Sequence, residues 1–308
     1  RGSKPQAAVV SITRAFDFTP LHGSVHPIDG QLYLAGFQIF GFGSAVEQLA
    51  GLARVRYTGA PVTLPREVIA FDQGVLLRFE VALDPATAAD PDRYALASWH
   101  YQRTYKYGSG HYKDDGTPGQ NRLIASAAYL STDRRGVFLA VPGMKPVMQL
   151  SVDWKLATSA GLTFDGKASL TPYELPGFDP RDEGFGSIEV DLKPRRALAE
   201  TSVPASVEEG QRLANAFGCI ACHAIDESGT ARGGPSWKGL FGTQRRVAAG
   251  ARTTISRTVD ETYLQESILD PTANFAAGYE KSEFAMPSYS GILNDAQIDA
   301  LILYIKSL

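Results

Sequence analysis

Two cysteines in 308 residues exclude a multi-bridge disulfide framework, and they exclude a zinc site built from two cysteine pairs. No apolar run approaches the ~20 residues needed to span a bilayer as a helix. Thirty Lys and Arg side chains against 33 Asp and Glu leave a net charge of −3, so the chain has no basic footprint for nucleic acid. The N-terminus lacks a charged-then-apolar signal segment. Arg1-Gly2-Ser3 reads as a cleaved end or an engineered scar. What is present is length enough for two domains with a good core. The acidity sits at one end: residues 201–308 carry twelve acidic and nine basic side chains, whereas residues 1–200 balance at twenty-one each.

Both cysteines stand in Gly218-Cys219-Ile220-Ala221-Cys222-His223. C-x-x-C-H is the signature of c-type haem attachment. One helical turn separates the sulfurs, so they can meet the two vinyl edges of one porphyrin while the next side chain swings under the metal. A thioredoxin-like C-x-x-C would sit at the start of a helix after a buried strand, but the residues before Cys219 read as the end of an amphipathic helix. A single covalent haem c is therefore the expected cofactor. Thioether haem is built on the outer side of a bacterial plasma membrane, which implies a periplasmic or secreted protein.

Along the rest of the chain, residues 1–60 read as short β-like runs, Gln31 to Ala35 and Leu52 to Tyr57, with Asp29-Gly30 as a turn. His22 and His26 are expected to be surface or turn histidines, because no carboxylate or third histidine joins them at ligand spacing. Residues 61–192 carry a sandwich-like pattern with strands near Val75–Leu83, Tyr94–Tyr101, Leu123–Leu130, Gly136–Val141 and Val147–Leu156. Trp99, Tyr101, Tyr105, Tyr107 and Tyr112, interleaved with His100, Lys106, His111 and Lys113, could stack on carbohydrate or dock a partner. The same residues could instead be cross-strand pairs that stabilise a hairpin. Thr171 to Gly186 reads as a surface loop, and residues 193–205 as a linker.

His26-Pro27-Ile28-Asp29-Gly30-Gln31-Leu32-Tyr33 and Ala53-Arg54-Val55-Arg56-Tyr57-Thr58-Gly59 resemble the end of the β-propeller of large secreted bacterial quinoprotein sugar dehydrogenases, often called membrane-bound dehydrogenases. That resemblance implies the C-terminal part of a longer chain, with a catalytic propeller and a quinone cofactor upstream. Arg78 to Pro85, then Asp90 to Tyr94, resemble the opening hairpin of bacterial immunoglobulin-like or fibronectin type III-like modules. Such modules space or dock other domains.

From 206 to 308 the pattern is helical. Ser206 with Glu209, Thr258 with Glu261, and Asn294 with Gln297 mark three helix starts. Gly234-Pro235-Ser236-Trp237-Lys238-Gly239-Leu240, Ser267-Ile268-Leu269-Asp270-Pro271 and Ala285-Met286-Pro287-Ser288-Tyr289 extend the match beyond the haem motif. This region resembles an all-α class I cytochrome c, and is similar to the one fused to subunit II of some haem–copper oxidases. The resemblance implies thioethers at Cys219 and Cys222, axial ligands His223 and Met286, and a hydrogen bond from His223 to the carbonyl of Pro235. Met144 and Met148 lie in the β region and are expected to be core residues. Phe217, Leu240, Phe241 and Tyr289 would bury the macrocycle, and Arg245 and Arg246 are candidate propionate partners or simply a solvated polar face.

Thus the expected fold is multidomain: a propeller-like β segment, an immunoglobulin- or fibronectin-like sandwich, and a cytochrome. The expected work is electron transfer between an upstream dehydrogenase and another redox protein rather than catalysis by this chain. The alternative is a cytochrome tethered by a carbohydrate- or partner-binding β module.

Overall fold

The computed structural model describes residues 6–13, 16–37, 48–103, 109–195, 204–226, 233–248, 254–273, 275–279 and 286–308. In chain order its first strands are β1 (Ala8–Val10), β2 (His22–Val25), β3 (Leu32–Phe37), β4 (Ala50–Val55), β5 (Pro65–Phe71) and β6 (Gly74–Phe79). A short helix α1 (Pro85–Ala88) precedes β7 (Tyr94–Trp99), β8 (Asn121–Leu123), β9 (Ala127–Leu130), β10 (Gly136–Ala140), β11 (Gln149–Ala157) and β12 (Thr163–Leu170). The last part holds α2 (Val207–Ala216), α3 (Cys219–Cys222), β13 (Gln244–Ala248), β14 (Thr254–Thr258), α4 (Glu261–Leu269), β15 (Phe275–Ala276) and α5 (Asp295–Ser307). Among the described residues no helix is long and apolar enough to cross a membrane.

Two compact units divide the chain: residues 1–14, 59–101 and 111–200 form one, and residues 15–58, 102–110 and 201–308 the other. The first unit is two antiparallel sheets, ordered β1-β12-β11-β7-β8 and β5-β6-β10-β9. One core holds Val75, Leu77 and Phe79 from the second sheet with Leu150, Val152 and Trp154 from the first. The second sheet is covered on its other face too, where residues 171–190 lay Phe178 flat on Phe138 with ring centroids 3.5 Å apart. Burial on both faces explains why Val75-Leu76-Leu77 and Val137-Phe138-Leu139 are unbroken apolar runs. The expected surface loop over 171–186 is thus a strap that closes a second core. It is tied down by Phe178 N–H to Asp72 Oδ1 at 3.0 Å and Asp72 N–H to Pro176 O at 3.0 Å.

Several strand expectations change. Leu123 to Leu130 is two strands, β8 in one sheet and β9 in the other. The break falls at Ala125-Ser126, where the Ser126 amide turns to Ala140 O and its hydroxyl donates to Asp191 O at 2.5 Å. Residues 1–60 do not stay together either: β1 pairs with β12 in the first unit. Met144 packs half-buried against the first core, and Met148 Sδ accepts the Tyr101 amide at 3.3 Å.

In the second unit β2, β3 and β4 make a three-stranded antiparallel sheet. The β2–β3 turn closes with Gly30 N–H to His26 O and His26 N–H to Gln31 O, both 2.9 Å, and His26 engages the Asp29 carboxylate at 3.2 Å. This one sheet is the described counterpart of the expected propeller segment.

The C-terminal region departs from an all-α expectation. Its helices are joined by a small sheet ordered β14-β13-β15, formed by residues 244–248, 254–258 and 275–276. Thr258 belongs to this ladder, opposite Gln244, so it cannot cap α4. Asp260 does so instead, its carboxylate accepting Tyr263 N–H at 2.8 Å. Helix α5 begins with a complete capping box of Asn294 and Gln297. At α2, Ser206 Oγ accepts Glu209 N–H, but the Glu209 carboxylate turns forward to Arg212.

Candidate haem-binding site

Helix α2 stops at Ala216, and Gly218, with φ of 70°, turns the chain into the single helical turn α3. Glycine takes this left-handed conformation without the Cβ clash other residues meet. The two cysteines therefore stand at either end of one turn, both half-buried. Burial pushes the Cys219 thiol up to about 11 and raises Cys222 as well. Two neutral thiols contradict the activated thiolate that disulfide exchange requires. They suit covalent attachment to an apolar ring edge.

His223 follows at the C-terminal end of this turn. Its Nδ1 lies 2.7 Å from the carbonyl oxygen of Pro235. A carbonyl only accepts, so the proton is on Nδ1 and the Nε2 lone pair is free. Burial, then the nearby Arg245 charge, lowers the imidazole's affinity for a proton, against the Pro235 bond that raises it. Trp237 stacks on the ring with centroids 4.9 Å apart and planes 19° apart. Gly234 presses from the loop: a Cβ there would sit 2.6 Å from His223 Cε1.

Around this imidazole the structure gathers the other expected residues. Met286 is half-buried and packs against the core shared by Leu213, Trp237, Leu240 and Tyr289. Tyr289 donates its hydroxyl to Phe217 O at 3.2 Å and meets the Phe217 ring edge-on at 5.7 Å. Burial raises its phenol, as do the charge of an ionised Cys219 and a hydrogen bond with that thiol. Arg245 is half-buried in β13, and Arg246, its neighbour, is exposed. In the sequence Trp237 is marked only by its place in the Gly234–Leu240 motif, two residues after Pro235.

Elsewhere, Trp99 is buried with His111 stacked on it at 4.4 Å, and Gln120 Nε2 donates to His111 Nδ1 at 2.6 Å. That is cross-strand packing, and among the described residues it leaves Tyr101 as the exposed ring of the group. Tyr105 and Tyr107 lie outside the described residues, as do Arg196 and most of the 193–205 linker. Arg195 pairs with Asp92. Among the described residues no group of three His, Cys, Asp or Glu side chains could hold a metal ion.

The donor set fits a porphyrin held through sulfur. Two neutral thiols one turn apart and an imidazole with a fixed tautomer suit covalent haem attachment. In agreement, residues 207–308 match the family model for cytochrome c. The C-terminal third of the chain is a cytochrome c domain, with haem c as its cofactor and electron transfer between redox partners as its work. No curated protein and no solved structure matches the chain.

Proposed function

We propose that this chain is the electron-transfer part of an exported dehydrogenase system, with one haem c ligated by His223 and Met286. The observation that carries the reading is the His223 to Pro235 hydrogen bond, which leaves Nε2 as a ready axial donor beside the Cys219–Cys222 turn. Met286, in the same core, is the one methionine outside the β unit. A thioether is a soft neutral donor that favours the ferrous state, so His/Met ligation gives a higher potential than two imidazoles. When bound, haem supplies a one-electron couple, and this chain's residues hold, orient and shield it. Tyr289 hydrogen-bonds with Cys219 and meets the Phe217 ring edge-on, and Arg245 offers a cation for a propionate.

Replacing Met286 with His tests the ligand set. The midpoint potential falls, whereas Met286→Ala gives a ferrous centre that takes carbon monoxide at once. A Met286→Ala protein with the wild-type optical spectrum and no carbon monoxide binding rejects Met286 as a ligand.

The dehydrogenase half of the proposal rests on residues 26–33 and 53–59. Their sequence resembles the close of a quinoprotein propeller, and 22–25, 32–37 and 50–55 form a three-stranded sheet. On this reading an upstream domain holding a quinone would oxidise a sugar or alcohol, and this chain's haem domain would relay the electrons singly to a further redox protein outside the plasma membrane. The full-length gene product should reduce its haem on addition of a sugar or alcohol. Absence of reduction across both substrate classes, with dithionite still reducing the haem, rejects it.

A further inference from the structure

We propose that Trp237 is a positioning residue for His223, fixing the plane of the imidazole and favouring the oxidised form of the centre through the electron-rich face of its indole. The inference rests on the reading of His223 as an axial ligand. One hydrogen bond at Nδ1 leaves a ring free to rock about that bond. Here two more contacts remove the freedom: the indole lies 4.9 Å away and 19° from parallel, and the Gly234 backbone closes from the loop.

The indole is itself anchored. The residue is 6% exposed, its backbone N–H donates to Ala224 O at 2.8 Å, and the ring edge meets Tyr304 at 6.4 Å and 85°. Tyr304 belongs to α5, and its Cβ would lie 2.7 Å from a Cβ built on Gly210 of α2. The plane of the imidazole is thus connected through two buried rings to the packing of the terminal helices. This connection is mechanical and needs no movement to operate.

The electronic part follows from ring electrostatics. An imidazole that donates its Nε2 lone pair to iron carries partial positive charge, more so when the iron is ferric. The negative face of an aromatic ring stabilises such charge, and an aliphatic side chain of similar depth does not. Removing the ring should therefore lower the ferric-to-ferrous ratio at a fixed ambient potential by about threefold.

The experiment is spectroelectrochemistry and ferric electron paramagnetic resonance on the haem-loaded chain, comparing wild type, Trp237→Phe and Trp237→Leu. Expected is a raised potential and altered g-anisotropy in Trp237→Leu, with Trp237→Phe lying closer to wild type. An unchanged potential and g-anisotropy in a folded Trp237→Leu overturns the inference. Should Trp237→Leu not fold, wild type grown with fluorinated tryptophans takes its place, because fluorine withdraws charge from the ring face at nearly constant volume. Potential rising with each added fluorine supports the inference, and a flat series overturns it. Trp99 and Trp154 also take the label, so labelled Trp237→Phe is the control. If His223→Ala leaves the haem spectrum unchanged, the ligand reading fails and takes this inference with it. If only the tryptophan series is silent, the inference alone fails.

Discussion

Gly210 of α2 crosses Ala300 of α5 so closely that a Cβ on Gly210 would lie 2.0 Å from the Ala300 carbonyl oxygen and 2.7 Å from Tyr304 Cβ. At an exposed helix position, Gly→Ala raises stability by roughly 0.5–1 kcal/mol. Here the sign reverses, because the obstacle is backbone and cannot swing aside. Gly210→Ala is expected to lower the stability of the C-terminal domain by about 1–3 kcal/mol or more. Urea unfolding followed at the haem would read it, and an unchanged midpoint would refute the close crossing.

The helices that frame this crossing were legible in the sequence because both signals agree at each end. Asn294 and Gln297 start α5 with a complete box, and Ile298, Leu301, Ile302 and Ile305 fall inward. Thr258 satisfies the same start pattern, a Thr three residues before a Glu, but the β13–β14 ladder claims it. Strand β12 carried no signal: Thr163 to Leu170 is mostly polar, and its Gly166 lies against the Trp154 ring, 2.4 Å from Cζ2 for a built Cβ. Covalent attachment points were legible from spacing alone. The stack of Trp237 on His223 was not, because ring packing across a loop leaves no periodic trace.

In the β unit Arg78 is held by two carboxylates, Glu67 at 2.9 Å and the buried Glu183 at 2.6 Å, and it also donates to the Glu183 backbone carbonyl. Arg78→Met removes the cation and both of its bonds to Glu183. A loss of about 3 kcal/mol is expected, because breaking a buried ion pair from one side is strongly destabilising. The double variant Arg78→Met, Glu183→Leu should recover part of that loss. A double variant no better than the single one would show that the strap, rather than the charge pair, carries the effect.

His111 gives the β unit a pH signature. Burial, then the Lys167 charge, lowers its pKa to about 4, against about 6.5 in the unfolded chain. The unfolded state therefore binds more protons between these values, so stability falls as pH drops from about 6.5 to about 4 and this contribution levels off below. Asp133, held low chiefly by the Ser131 hydroxyl, acts in the same direction but only in more acid solution. His111→Phe keeps a ring on Trp99 and abolishes the titration. Its urea midpoint should change less than wild type's between pH 6.5 and 4; equal slopes would sink the assignment.

The closest test of the haem-side architecture is a single methyl group at Gly234. Its backbone is half of the slot in which the His223 ring sits, and a Cβ there would fall 2.6 Å from Cε1 and 2.9 Å from Nδ1. The ring has no easy retreat, since Trp237 lies against it and Pro235 O holds Nδ1. Gly234→Ala must therefore shift the loop or turn the imidazole, and either movement lengthens the hydrogen bond that sets the tautomer and raises ligand basicity. The expected outcome is a lower yield of haem-loaded protein and, in the fraction that loads, a raised midpoint potential, because a less basic imidazole stabilises ferric iron less. Replacing the neighbouring Ser236 with Ala removes its hydroxyl bond to Ala224 O but adds nothing beside the ring, so it should leave the potential in place. Equal potentials in Gly234→Ala and wild type would mean that the loop yields freely and that the slot does not orient the histidine.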